Sequence, residues 1–244
     1  PGSVNNADDK YPNKSWFNYE GDSIALRKIG GNFSFTRPLN GGNPFKDAPW
    51  RVLVGMSFEQ VRPINFSAGS RPYGVASRKI KDGKVRNKDI VCIAYNCADS
   101  NYLTSLRFAA TRNTYNDSSN PTSGSFFTAS TQQFIGVDEN SPTFNKLRAS
   151  YTQFFPVNWL KLHKGCRPDP GEASDCPQAI GIQVKGGSAM GDMPPYEAFC
   201  LGGSNSIRGW YDCDLAVGKA FGEITLEYRF PLISIFSGEV FMDA

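Results

Sequence analysis

Glu223-Ile224-Thr225-Leu226-Glu227-Tyr228-Arg229-Phe230 alternates without a slip, with Ile224, Leu226, Tyr228 and Phe230 in one set and Glu223, Thr225, Glu227 and Arg229 in the other. Successive side chains of a β-strand point to opposite faces, so this stretch reads as a strand with one greasy and one charged face. The pattern recurs from Trp50, where Trp50, Val52, Val54, Met56 and Phe58 interleave with Arg51, Leu53, Gly55, Ser57 and Glu59. It recurs again with Tyr102, Leu106, Phe108 and Ala110 against Ser105, Arg107, Thr111 and Asn113, and with Leu147, Ala149, Tyr151 and Phe155 against Lys146, Arg148, Ser150 and Thr152. Weaker copies run from Ile29 to Pro38, Ser125 to Ile135, Ile180 to Ala189 and Gly238 to Asp243. That makes about eight strands, each close to the roughly 9–11 residues a tilted strand needs to cross a bilayer.

The small residues choose between a soluble sandwich and a membrane barrel. Gly55, Gly181, Gly187 and Ala189 share the polar faces with Lys185, Arg148 and Glu227. A solvent face has no reason to gather glycine, whereas a lumen with something packed inside it does. Trp50, Tyr102, Phe154, Phe155, Trp159 and Phe230 near strand ends fit interfacial girdles, the alternative being an ordinary aromatic core. The expected fold is therefore all-β: an antiparallel up-and-down transmembrane β-barrel, present as an open, curved half-barrel. Val52, Val54, Phe58, Leu106, Phe108, Ile224, Leu226 and Tyr228 are expected on the convex, lipid-facing side. Arg107, Arg148, Lys185, Glu223 and Glu227 are expected on the concave one.

Composition agrees. The 244 residues are 40% apolar and 20% charged with a net charge of +3, which singles out no nucleic-acid partner, and 24 glycines, 16 prolines, 18 phenylalanines and 10 tyrosines favour strands and turns over helices. No apolar run is long enough for a membrane-spanning helix, but alternating barrel strands never produce one. The start, Pro1-Gly2-Ser3-Val4-Asn5-Asn6, lacks the basic and apolar regions of a signal peptide, and the end, Glu239-Val240-Phe241-Met242-Asp243-Ala244, stops inside a strand. The expected division is a leading segment, 1–28, and a partial barrel, 29–244, whose final strands lie outside the chain.

Six cysteines fall in local pairs, Cys92 with Cys97, Cys166 with Cys176 and Cys200 with Cys213. The spacings do not match zinc or thioredoxin motifs, and an even count fits an oxidising compartment, with either three bridges or free thiols. A long connection from Pro63 to Asn101 is basic in its middle, through Arg71, Arg78, Lys79, Lys81, Lys84, Arg86 and Lys88. Such a run meets anionic headgroups or polysaccharide, or is simply solvated. Nothing supports an enzyme or a cofactor: the lone His163 sits in a turn, phosphate loops and metal spacings are absent, and Glu223 with Glu227 read as lumen residues.

The decisive connection runs from 192 to 219. It contains Met193-Pro194-Pro195-Tyr196-Glu197-Ala198-Phe199, Leu201-Gly202-Gly203-Ser204-Asn205-Ser206 and Ile207-Arg208-Gly209-Trp210. Connections of this length within a compact fold tend to be functional. The series resembles the BamA-type outer-membrane assembly and translocation superfamily, and the Pro-Pro-Tyr-Glu-Ala-Phe and Leu-Gly-Gly blocks look like its cyanobacterial and plastid branch. Upstream, Thr111-Arg112-Asn113 and Pro121-Thr122-Ser123-Gly124 match the family's strand, periplasmic turn and strand, so the resemblance spans about Ile29 to Ala244.

The resemblance implies a loop folded back into the lumen, its tip formed by Ile207, Arg208, Gly209 and Trp210 and its bends by Gly202 and Gly203. Arg208 would pair with Glu227, Asp243 or both, and Trp210 would pack on lumen glycines. A Cys200–Cys213 bridge would close the loop's base but departs from the family pattern. The implied role is non-enzymatic insertion of unfolded barrel proteins into an outer membrane, or polypeptide translocation across it. Lipid, lipopolysaccharide and accessory proteins recruited by POTRA domains outside this chain would be partners. The implied place is a bacterial outer membrane, cyanobacterial by branch, or a plastid outer envelope. The competing class is a passive pore, which would leave the loop motif unexplained.

Overall fold

The computed structural model describes residues 24–43, 48–65, 75–77, 80–81, 84–85, 90–92, 94–161, 164–167, 176–233 and 236–244. Eight long strands form one sheet: β1 (Ile24–Pro38), β2 (Trp50–Asn65), β7 (Asn101–Asn113), β8 (Gly124–Ile135), β9 (Phe144–Pro156), β10 (Ala179–Gly191), β13 (Ala220–Ile233) and β14 (Phe236–Asp243). Between β2 and β7 lie the short pieces β3 (Val75–Ser77), β4 (Ile80–Lys81), β5 (Lys84–Val85) and β6 (Ile90–Cys92). The connection from β10 to β13 carries the hairpin β11 (Phe199–Leu201) and β12 (Ala216–Gly218). The order in the sheet is β1-β2-β7-β8-β9-β10-β13-β14, every neighbour is antiparallel, and the sheet does not close. β1 begins at Ile24 rather than Ile29 because β2 runs on to Asn65 and offers it partners along the whole length. Residues 1–23 and His163 lie outside the described residues.

The register assigns the faces. Ile29, Phe33, Phe35, Val54, Phe58, Leu106, Phe108, Ile224 and Leu226 share one face and stand exposed, Phe33 at 69%. The other face carries Ser57, Ser105 and Gln132, joined by hydroxyl and amide hydrogen bonds of 2.8 Å. Large apolar groups outside and bonded polar groups inside is the reverse of a water-soluble protein, and it is what a lipid-facing barrel wall requires. Aromatic rings cluster at both rims of the outer face. Trp50 meets Phe127 at 6.2 Å and Tyr228 meets Trp159 at 5.2 Å at one rim, while Phe58 stacks on Tyr102 at 6.1 Å at the other. Phe154, expected in this girdle, faces inward instead: it is 3% exposed, edge-on to Tyr115 and beneath the Arg229 guanidinium. Its neighbour Phe155 faces out, and consecutive residues of a strand cannot share a face.

The buried core lies on the inner face, at the end where the 192–219 connection leaves the sheet. Val61, Leu103, Phe134 and Phe144 form it, with Phe134 and Phe144 stacked at 4.1 Å, and Leu26, Met193 and Tyr196 close over them. The fold thus buries its largest apolar cluster against its own loop. At the opposite end, Cys166 and Cys176 are bridged within the β9–β10 connection, and the Gln178 side chain accepts hydrogen bonds from the amides of Trp159 and Leu160 and from the Tyr228 hydroxyl.

Candidate functional site

The 192–219 connection turns back over the inner face from its first residue, where the Asp192 amide donates to the Thr143 carbonyl at 3.0 Å. A 3-10 turn over Pro195–Glu197 leads into β11, and Cys200 of that strand is bridged to Cys213 in the turn that precedes β12. The side chains of Cys92 and Cys97 lie outside the described residues. Beyond the bridge the chain needs left-handed backbone: Gly202 has φ +115° and Gly203 has φ +93°. A Cβ on Gly203 would also meet the Asp212 carboxylate, which could turn aside, so it is the left-handed backbone that favours glycine there.

These bends deliver the tip to the wall. The Asn205 carbonyl accepts from Lys185 Nζ at 2.9 Å, and the Ser206 hydroxyl donates to Glu223 at 2.7 Å. Lys185 and Glu223 face one another across β10 and β13 and are themselves paired at 2.8 Å. Ile207 is buried, and Arg208 then reaches β14. Its Nε and Nη2 donate to the two Asp243 carboxylate oxygens at 2.7 and 2.8 Å, its backbone amide donates to Asp243 at 3.1 Å, and its Nη1 donates to Glu239 at 2.7 Å. The guanidinium lies 3.4 Å from the Phe241 ring centroid. Glu239, Phe241 and Asp243 are alternate residues of one strand, so the fork bonds an acid on each side while its plane covers the ring between them.

Two residues behave differently from the sequence expectation. Glu227 pairs with Arg229 at 2.5 Å, and no ion pair joins it to Arg208 among the described residues. The register explains this, since Glu227 lies opposite Phe241 and the ring takes the place where the guanidinium would meet it. Trp210 is 51% exposed, not packed on lumen glycines. Gly209, at φ +92°, turns the chain off the wall just before it. The space over Gly187 is filled instead by Phe199 and Phe221, whose rings a Cβ there would meet at 3.1 and 2.6 Å.

The base of the connection makes contacts that sequence reading missed. Glu197 accepts from Lys28 Nζ on β1 and from Lys146 Nζ on β9, each at 3.0 Å, and Lys146 also donates to the Glu197 carbonyl at 2.7 Å. The Tyr196 hydroxyl donates to Asn101, which is fully buried and whose amide nitrogen also donates to the Tyr95 and Asn140 carbonyls. One asparagine thus ties the loop base to the β2–β7 and β8–β9 connections. Burial alone would raise the Glu197 carboxyl, but the charges and hydrogen bonds of Lys146 and Lys28 outweigh it and hold the group below the usual carboxylate range. A depressed folded value means that the stabilisation is complete above the ordinary carboxylate range and is lost as pH falls through the folded value. The loop base should therefore stay seated on acidification from neutrality until pH drops below about 4.5, which pepsin sensitivity of the loop, followed down the pH scale, would reveal.

An open antiparallel sheet with an apolar outer face, a polar inner face and a loop pinned inside defines the wall of a transmembrane β-barrel. The described residues hold no group of three or more potential metal ligands. The chain belongs to the Omp85 superfamily, whose domain model matches residues 6–244. It is 33% identical over 102 residues to Protein TOC75-4, chloroplastic, of Arabidopsis thaliana, covering 41% of this chain and 23% of that protein. Outer envelope protein 39, chloroplastic, of the same plant is 24% identical over 200 residues, covering 80% of this chain and 44% of that protein. This chain therefore spans less than half the length of either relative. Its fold is similar to the crystal structure of BamA from Haemophilus ducreyi lacking POTRA domains 1-3, with a TM-score of 0.60 at 14% identity over 90% of this chain and 41% of that one. Omp85 proteins are non-enzymatic transport and assembly factors, and their barrels lie in bacterial outer membranes or plastid outer envelopes.

Proposed function

We propose that this barrel inserts unfolded β-barrel proteins into its outer membrane or passes polypeptides across it, and that the Arg208 latch holds the working loop in the lumen. The observation that carries the reading is the Arg208 fork, bidentate on Asp243 and bonded to Glu239, at the tip of a loop seated on the inner face. A purely passive pore has no need of a folded, bridged and charge-latched loop across its lumen. Accessory proteins acting through POTRA domains, and lipid or lipopolysaccharide at the outer face and the basic β2–β7 connection, complete the proposal. The names of the plastid relatives support the cyanobacterial and plastid branch.

The test is reconstitution of the full-length protein in liposomes with a urea-unfolded outer-membrane barrel as client. Client folding, read by heat-modifiable migration and protease protection, should run faster than in protein-free liposomes. Ion conductance with no acceleration of client folding would establish the passive pore instead.

A further inference from the structure

The inner face is laterally polarised in charge. Lys28, Arg107, Lys146 and Arg148 stand on β1, β7 and β9, whereas Glu223, Glu227, Glu239 and Asp243 stand on β13 and β14. Three inward groups depart from this order: Arg229 on the acidic side, which Glu227 and Glu239 neutralise, Lys185 of β10, which pairs with Glu223, and Glu59 of β2 on the basic side. The loop carries the complementary order: an acid, Glu197, at its base on the basic wall, and a base, Arg208, at its tip on the acidic wall.

We propose that Glu197 is a second latch, a positioning residue that seats the loop base by joining β1 to β9 independently of the tip. This deepens the reading of the loop given under Proposed function and rests on it. Three observations carry the inference. First, the Lys146 side chain is 6% exposed, and Glu197 is its only ion-pair partner among the described residues, so the two charges are buried for each other. A buried ammonium without its carboxylate is strongly disfavoured, which makes the pairing obligatory rather than incidental. Second, Lys28 and Lys146 are on strands four places apart, about 19 Å across a flat sheet, and the register sets Lys146 level with Ser34, six residues from Lys28 or about 20 Å further along the strands. Their meeting on one carboxylate requires the sheet to curl around the loop, and Glu197 closes that chord. Third, the same turn is fixed by the Tyr196 hydroxyl on the buried Asn101, so the base has its own seat on the wall that shares no residue with the tip.

A loop with two oppositely charged latches on opposite walls can release one and pivot on the other. Hydrogen exchange of the full-length protein in lipid nanodiscs reads each latch separately. In Glu197→Gln the amides of Glu197 and Ala198 should exchange about tenfold faster or more, while the Arg208 amide changes less than about twofold. Arg208→Ala should give the mirror result. Glu197→Lys should expose the base, and adding Lys146→Glu should restore its protection. Should Glu197→Gln fail to fold, Lys28→Gln, which leaves the Lys146 pair intact, should give a smaller rise confined to the base. Unchanged base exchange in both Glu197→Gln and Lys28→Gln, base and tip released together by either variant, or no recovery in the reversed pair would overturn the second latch. Exchange is read without a client, so normal client folding by the Arg208→Ala protein would sink the functional reading while leaving the latch standing.

Discussion

In the Arg208→Ala protein the loop tip should leave β14 and client insertion should fall, while the barrel itself keeps its heat-modifiable fold. The substitution strands Asp243, whose side chain is only 4% exposed. Breaking a buried pair costs roughly 3–5 kcal/mol. Arg208 is 23% and Glu239 38% exposed, so solvent screens part of the interaction, and a pair as exposed as the one with Glu239 adds about 0–1 kcal/mol. The net cost is about 2–3 kcal/mol, which at about 1.4 kcal/mol per decade lowers the ratio of seated to released tip by roughly 30- to 150-fold. Arg208→Lys should recover little of it, because an ammonium cannot bond both Asp243 oxygens and Glu239 while covering the Phe241 ring. Arg208→Asp combined with Asp243→Arg should recover part of the loss, whereas pairing the same change with Glu227→Arg should not. Equal client folding by wild type and Arg208→Ala would show that the latch has no role in insertion.

Phe144→Ala should be the most damaging single change to the fold. Phe144 is 1% exposed and stacks on Phe134 at 4.1 Å in the cluster beneath the loop base. Truncating a buried phenylalanine typically costs about 3–5 kcal/mol. The loss should appear as a lower midpoint of heat-modifiable migration, together with faster exchange around Met193 and Tyr196, which pack on the same cluster. Phe33→Ala on the outer face provides the contrast, since lipid chains refill the space its ring leaves. A larger loss of stability from Phe33→Ala than from Phe144→Ala would contradict the assignment of core to the inner face and lipid to the outer one.

The contrast between these phenylalanines marks how much was legible in the chain. Phe33 and Phe35 alternate with Asn32, Ser34 and Thr36, so their shared face could be read directly from the order of residues. Phe154 and Phe155 are adjacent, and composition alone could not tell which belonged to the girdle. That choice fell to β8 and β10 on either side, where Phe154 lies opposite Gly124 and Gly181. Similarly, the acids on the face of β13 and β14 were visible from alternation, but the assignment of Arg208 among them required the pairing of Glu227 with Phe241.

The linear order of residues determined the strands, their two faces, the inward set of charges and the existence of an unusual loop, because a period of two is a local property that each strand carries without its neighbours. Only the tertiary structure decided which charges meet. Glu197 lies 169 positions from Lys28 and 51 from Lys146, and nothing local in the chain marks those three as partners. Their contact exists because the sheet's curvature brings β1 and β9 around the loop, and the little-exposed Lys146 then takes the Glu197 carboxylate as its partner.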